Sequence, residues 1–130
     1  MSRKPRGALT ETQLELMEAV WAGPPAGLTV AEIWQALSQM RPLARTTVLT
    51  QVGRLEKRGW LVQEASERGY RYRPACTRET ASARLASAFT DAFFGGSASR
   101  LVMSLLGSRS IPSEELGRLR RLLDDAEERP

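Results

Sequence analysis

Apolar positions recur at helical spacing in three successive stretches of the chain. In the first, Leu14, Met17, Val20 and Trp21 form the stripe, and Thr10 with Gln13 three residues on has the spacing of a capping box, which predicts a helix. Its other face carries Glu11, Glu15 and Glu18 and is expected to meet only water. The AGPPAG run over 22–27 stops this helix, because proline cannot continue it and glycine permits the turn. Thr29 and Glu32 repeat the start signal, followed by Val30, Ile33, Trp34 and Leu37, which predicts a second helix. After Arg41 and Pro42, the stretch RTTVLTQVGRLEKRGWL groups Val48, Leu49, Val52 and Leu55 on one side, predicted to pack on the first two helices. Gly59 is its natural C-terminal stop.

From Leu61 the period changes to two. LVQEA and YRYRP are short extended runs separated by SERG, in which Gly69 can supply the backbone freedom of a tight hairpin. Tyr70 and Tyr72 fall on one side of the second run, where they are expected mainly to pack, and Arg71 and Arg73 on the other. Pro74 ends it, and Thr77 is a candidate cap for a fourth helix, TRETASARLASAFTDAFF, which Gly95 and Gly96 break. SRLVMSLLG and a run beginning near Pro112 predict two more helices.

The predicted fold is therefore mainly α with a small β-hairpin: an N-terminal winged helix-turn-helix over 1–76, followed by a C-terminal helical region over 77–130. Three short helices in the latter present more apolar surface than they can bury among themselves. Leu85, Phe89, Phe93, Phe94, Leu101, Leu105, Leu116, Leu119, Leu122 and Leu123 are the expected contacts of a homodimer. An intramolecular core made of the same leucines is the alternative.

Charge sharpens this picture once it is divided along the chain. Residues 1–76 hold 11 Lys/Arg against 7 Asp/Glu and residues 77–130 hold 8 against 8, so the net +4 resides entirely in the first part. Between Arg41 and Arg73 the balance is 8 basic to 3 acidic, which suggests a polyanion partner. The third helix carries it: opposite its apolar side stand Thr46, Thr47, Thr50, Arg54, Lys57 and Arg58, flanked by Gln51 and Gly53, with the helix's one acid, Glu56, away from that face; Arg45 at its start is a further candidate contact. A major groove admits such a helix, its hydroxyls and guanidinium groups reaching phosphates and base edges where a carboxylate would be repelled. Arg54 is the candidate for a guanine, Lys57 and Arg58 for backbone positioning, and Arg68 and Arg71 for phosphate contacts from the hairpin.

Other function classes find less support. The chain has no histidine, hence no imidazole base for a nucleophile, and neither a glycine-rich phosphate loop nor metal-ligand spacing, so no catalysis, cofactor or metal is expected. The single cysteine, Cys76, is expected to pack as a small residue. It cannot form an internal disulfide, and the basic Met1 to Gly7 precede no apolar run of signal length, so a cytoplasmic location is expected. A winged helix that binds protein instead of DNA is the alternative function, since fold alone does not decide it.

The segments LTETQLELMEAVW, TVAEIWQAL, RTTVLTQVGRLEKRGWL, YRYRP, FFGG, LVMSLL and EELGRLRRLL together resemble the BlaI/MecI penicillinase-repressor family of winged-helix transcriptional regulators, over about residues 8–126. The resemblance implies a homodimer whose winged helices bind a dyad-symmetric operator and repress nearby genes. Such proteins are often inactivated when a membrane-bound sensor protease causes cutting in the C-terminal region, commonly at an Asn-Phe pair. The matching pair here is Ser104-Leu105, neither residue is retained, and control by β-lactam-triggered cutting is not expected. The cysteine-rich tail of copper-responsive relatives is also missing from this sequence, which leaves the inducing signal open.

Overall fold

A computed structural model describes residues 5–129, in the order α1 (Glu11–Ala22), α2 (Val30–Ser38), α3 (Arg45–Lys57), β1 (Leu61–Ser66), β2 (Gly69–Pro74), α4 (Arg78–Phe94), α5 (Ala98–Gly107) and α6 (Ser113–Glu128). Both expected capping boxes are present. Thr10 Oγ1 accepts from the Gln13 N–H and Gln13 Oε1 from the Thr10 N–H at 3.2 and 3.0 Å. Thr29 and Glu32 repeat the exchange at 3.2 and 2.9 Å, satisfying donors that a helix start otherwise leaves unpaired.

The chain divides into two compact units, residues 1–85 and 86–130. The first is a winged helix. Leu16, Met17 and Val20 of α1, Ile33 and Leu37 of α2 and Val48, Val52 and Leu55 of α3 form one buried cluster with Trp60, Leu61, Tyr72 and Ala81. β1 and β2 pair antiparallel from Leu61↔Pro74 to Ser66↔Gly69, leaving Glu67 and Arg68 as a two-residue turn; Gly69 beside it has φ +98°, a conformation that favours glycine. Leu28 adds an antiparallel bridge to Tyr72, which ties the loop before α2 to the hairpin. A Cβ on Gly27 would sit 2.5 Å from the Tyr72 carbonyl oxygen, so this close approach requires glycine. The unit reaches into α4 because Ala81 is buried in the core and Leu85 packs at its edge. Thr77 caps that helix, accepting from the Thr80 N–H at 3.1 Å.

Three details differ from the pattern of the sequence. In α1 the buried stripe is Gln13, Leu16, Met17 and Val20, while Leu14 is exposed. Two apolar residues flank Glu15, and the stripe through Met17 and Val20 passes through Leu16. In α3, Leu49 is 55% exposed instead of packed, since Val48, Val52 and Leu55 already cover the helices beneath. The acids of α1 are not merely hydrated: Glu15 pairs with Arg41 at 2.6 Å and Glu18 with Arg78 at 2.6 Å.

The second unit has a different character. Phe89, Phe93 and Phe94 group their rings, with Phe89 and Phe93 stacked at 5.6 Å between centroids. Gly95 and Gly96, at φ +57° and +81°, turn the chain out of α4, and Ser97 caps α5 by accepting from the Arg100 N–H. Neither α5 nor α6 has a buried residue, and Phe93 is 75% exposed.

Candidate nucleic-acid interface

Helix α3 offers its outer face without acid groups. Arg45, Thr46, Thr47, Thr50, Arg54 and Lys57 are all exposed. Glu56 is exposed too, but helical geometry sets it about a third of a turn from Thr50. Among the described residues, Arg45, Arg54, Lys57 and Arg68 have no carboxylate within ion-pair distance. Thr50 donates its hydroxyl to the Thr46 carbonyl at 3.0 Å, which commits its proton and leaves the oxygen able to accept.

Two other candidates on this segment turn toward the protein. The Gln13 amide donates to Gln51 Oε1 at 3.0 Å, joining α1 to α3. Arg58, half-buried, donates Nε to the Arg6 carbonyl at 2.8 Å, Nη2 to the Ala8 carbonyl and Nη1 to Gln13 Oε1 at 3.3 Å. Trp60 Nε1 donates to the same Arg6 carbonyl at 3.0 Å, and Arg6 in turn donates Nη2 to the Lys57 carbonyl at 3.1 Å. This clamp fixes the arm before α1 to the end of α3. A Cβ on Gly7, at φ +79°, would meet the Arg58 guanidinium at 2.8 Å. No sequence spacing signals a contact between residues 52 positions apart, so Arg6, Ala8 and Gln13 were invisible as supports of α3.

On the hairpin, Arg68 is exposed at the turn, whereas Arg71 donates Nη1 to the Gly27 carbonyl at 2.9 Å and to Glu32 at 3.2 Å. Arg73 pairs with Glu64 at 2.8 Å. Of the two tyrosines, Tyr72 packs in the core and Tyr70 stays exposed. An open cleft lies between the start of α2, the start of α3 and the hairpin, lined by Thr29, Glu32, Arg45, Leu49, Arg68 and Tyr70 among others. The Thr29 backbone N–H holds the Glu32 carboxyl below its ordinary range, helped by the fields of Arg71 and Arg68. Arg41 does the same to Glu15 by hydrogen bond and charge. With Arg41, Arg71 and Arg73 each paired to a carboxylate, Arg45, Arg54 and Lys57 of α3 and Arg68 of the hairpin turn, beside exposed Glu67, keep no ion pair among the described residues.

The sequence profile of the penicillinase repressor family matches residues 9–125. The chain belongs to that family. A family member from Mycobacterium tuberculosis, a transcriptional regulator BlaI, is 29% identical over 120 residues, spanning 92% of this chain and 85% of the relative. The penicillinase repressor of Bacillus licheniformis is 22% identical over 121 residues, 93% of each chain. A solution structure of monomeric Bacillus licheniformis BlaI with the blaP half-operator aligns at a TM-score of 0.49 and 23% identity, over 56% of this chain and 87% of that one. In this member of the family the remaining candidates lie in the helices beyond the hairpin. Leu85 belongs to the winged-helix unit, where it borders the core, and Phe89, Phe93 and Phe94 form the aromatic group of α4. Leu101 and Leu116 are half-buried; Leu105, Leu119, Leu122 and Leu123 are exposed. Ser104 and Leu105 lie in the last turns of α5, both exposed.

Proposed function

We propose that this chain is a transcriptional repressor that binds a dyad-symmetric DNA operator as a homodimer, with α3 in the major groove and the hairpin turn on the flanking backbone. The single observation behind this reading is the exposed face of α3, where hydroxyls and unpaired cations stand together without a carboxylate. Threonine hydroxyls and arginine forks are suited to phosphates and base edges, and the lack of acid removes repulsion from the duplex. Arg54 reads a base, Lys57 and Arg68 contact phosphate, and Thr46, Thr47 and Thr50 line the groove. Arg58, Gln51 and Arg71 act behind this surface, holding α3 and the hairpin in place. The names of its relatives, a transcriptional regulator and a penicillinase repressor, support the same assignment.

The dimer rests on the second unit. Helices α5 and α6 without one buried residue, and phenylalanines left in water, are suited to a second copy that covers them. Two copies would present two α3 helices to half-sites separated by whole turns of DNA, so that two modest affinities combine.

Fluorescence anisotropy with an operator selected from a random library, set beside random duplex, tests the reading. Affinity for both is expected to fall steeply as salt rises, and Arg54→Ala is expected to weaken the operator more than random DNA. A protein that retains no duplex at low ionic strength overturns it.

A further inference from the structure

Gly53 occupies the interior of α3, the ninth of its 13 residues, where glycine gives up more conformational freedom than any other residue on folding. Nothing among the described residues asks for it. Its φ is not positive, unlike that of Gly7 or Gly27, and a Cβ placed there would meet no described atom within 4 Å. Its surface neighbours, three and four residues away, are Leu49, Thr50, Glu56 and Lys57. The missing side chain therefore leaves a notch at the edge of the outer face of α3, between exposed Leu49 and Glu56 on one side and Thr50 and Lys57 on the other, with the Thr50 hydroxyl proton turned back to the Thr46 carbonyl. A polar helix surface that keeps one leucine in water beside an empty position is shaped for a small apolar group. On base edges in the major groove, the one apolar group is the C5-methyl of thymine.

We infer that Gly53 is the point of closest approach between α3 and the duplex, and that the notch beside it seats a thymine methyl against Leu49. The inference rests on the reading of α3 as the DNA-contacting helix and adds a residue and a base to it. Any side chain at 53 would hold the helix away from the base pair, although alanine would suit the helix itself better.

Gly53→Ala separates stability from binding. Its melting temperature is expected to rise by roughly 2 to 6 °C, while affinity for the selected operator falls about tenfold. Replacing the operator's thymines one at a time by deoxyuridine, which removes only the methyl, is expected to weaken the wild type about fourfold at one position and to leave Leu49→Ala unaffected there. Gly53→Ala that binds as tightly as wild type overturns the inference, as does an operator in which no methyl matters. A wild-type protein that binds no duplex defeats the underlying reading instead, so the two failures are distinguishable.

Discussion

Gln13 and Glu32 occupy the same position in two capping boxes, and only one of them titrates. The Glu32 carboxyl, held below its ordinary value of 4.5 chiefly by the Thr29 N–H, is more acidic folded than unfolded. A depressed folded pKa contributes stability above the unfolded value, and that contribution disappears as the pH falls through the folded one. Glu15, lowered by Arg41, acts in the same direction. Glu32→Gln keeps an acceptor for the Thr29 N–H, as Gln13 does for Thr10, but has no proton to gain. Thermal melts from about pH 6 down to about pH 3 should therefore show a shallower decline for Glu32→Gln than for wild type. Parallel declines would mean that the cap contributes nothing to acid sensitivity.

At the scale of elements, α3 is held at its far end by the Arg58 clamp and along its flank by Gln51 on Gln13. Arg58→Ala removes three hydrogen bonds and leaves the Ala8 carbonyl without its donor, while the Arg6 carbonyl keeps Trp60 and Gln13 Oε1 keeps the Thr10 N–H, a loss of about 1 to 3 kcal/mol. Lys57→Ala, one residue away and exposed, should leave the melting temperature unchanged and weaken operator and random DNA alike. Calorimetry beside anisotropy checks the contrast; equal melting temperatures for the two variants would remove Arg58 from the support of α3. The order of elements was legible because caps, proline, glycine and the change of period are local signals, and both capping boxes and the two-residue hairpin turn stand where those signals are. Side-chain commitments were not legible. Arg58 and Arg71 look in sequence like Lys57 and Arg68, and only the folded backbone puts the Arg6, Ala8 and Gly27 carbonyls within their reach. Leu49 was misplaced for a related reason: an apolar residue at the edge of a stripe is buried only if a partner covers it.

For the whole molecule, the two units differ in what they can do alone. Residues 1–85 carry a buried cluster of twelve residues, and α5 and α6 carry none. A fragment ending at Leu85 should melt cooperatively but sediment as a monomer, whereas the full chain should melt at a temperature that rises with protein concentration. Phe93→Asp in the full chain should abolish that dependence and weaken operator binding, with little effect on random DNA per subunit. A full chain whose melting is independent of concentration would contradict assembly through the second unit. If assembly is where these helices acquire their interior, dilution alone loosens about a third of each polypeptide. Gene control by such a protein then depends on how many copies a cell maintains: a modest drop in synthesis would release the operator before any inducer arrived.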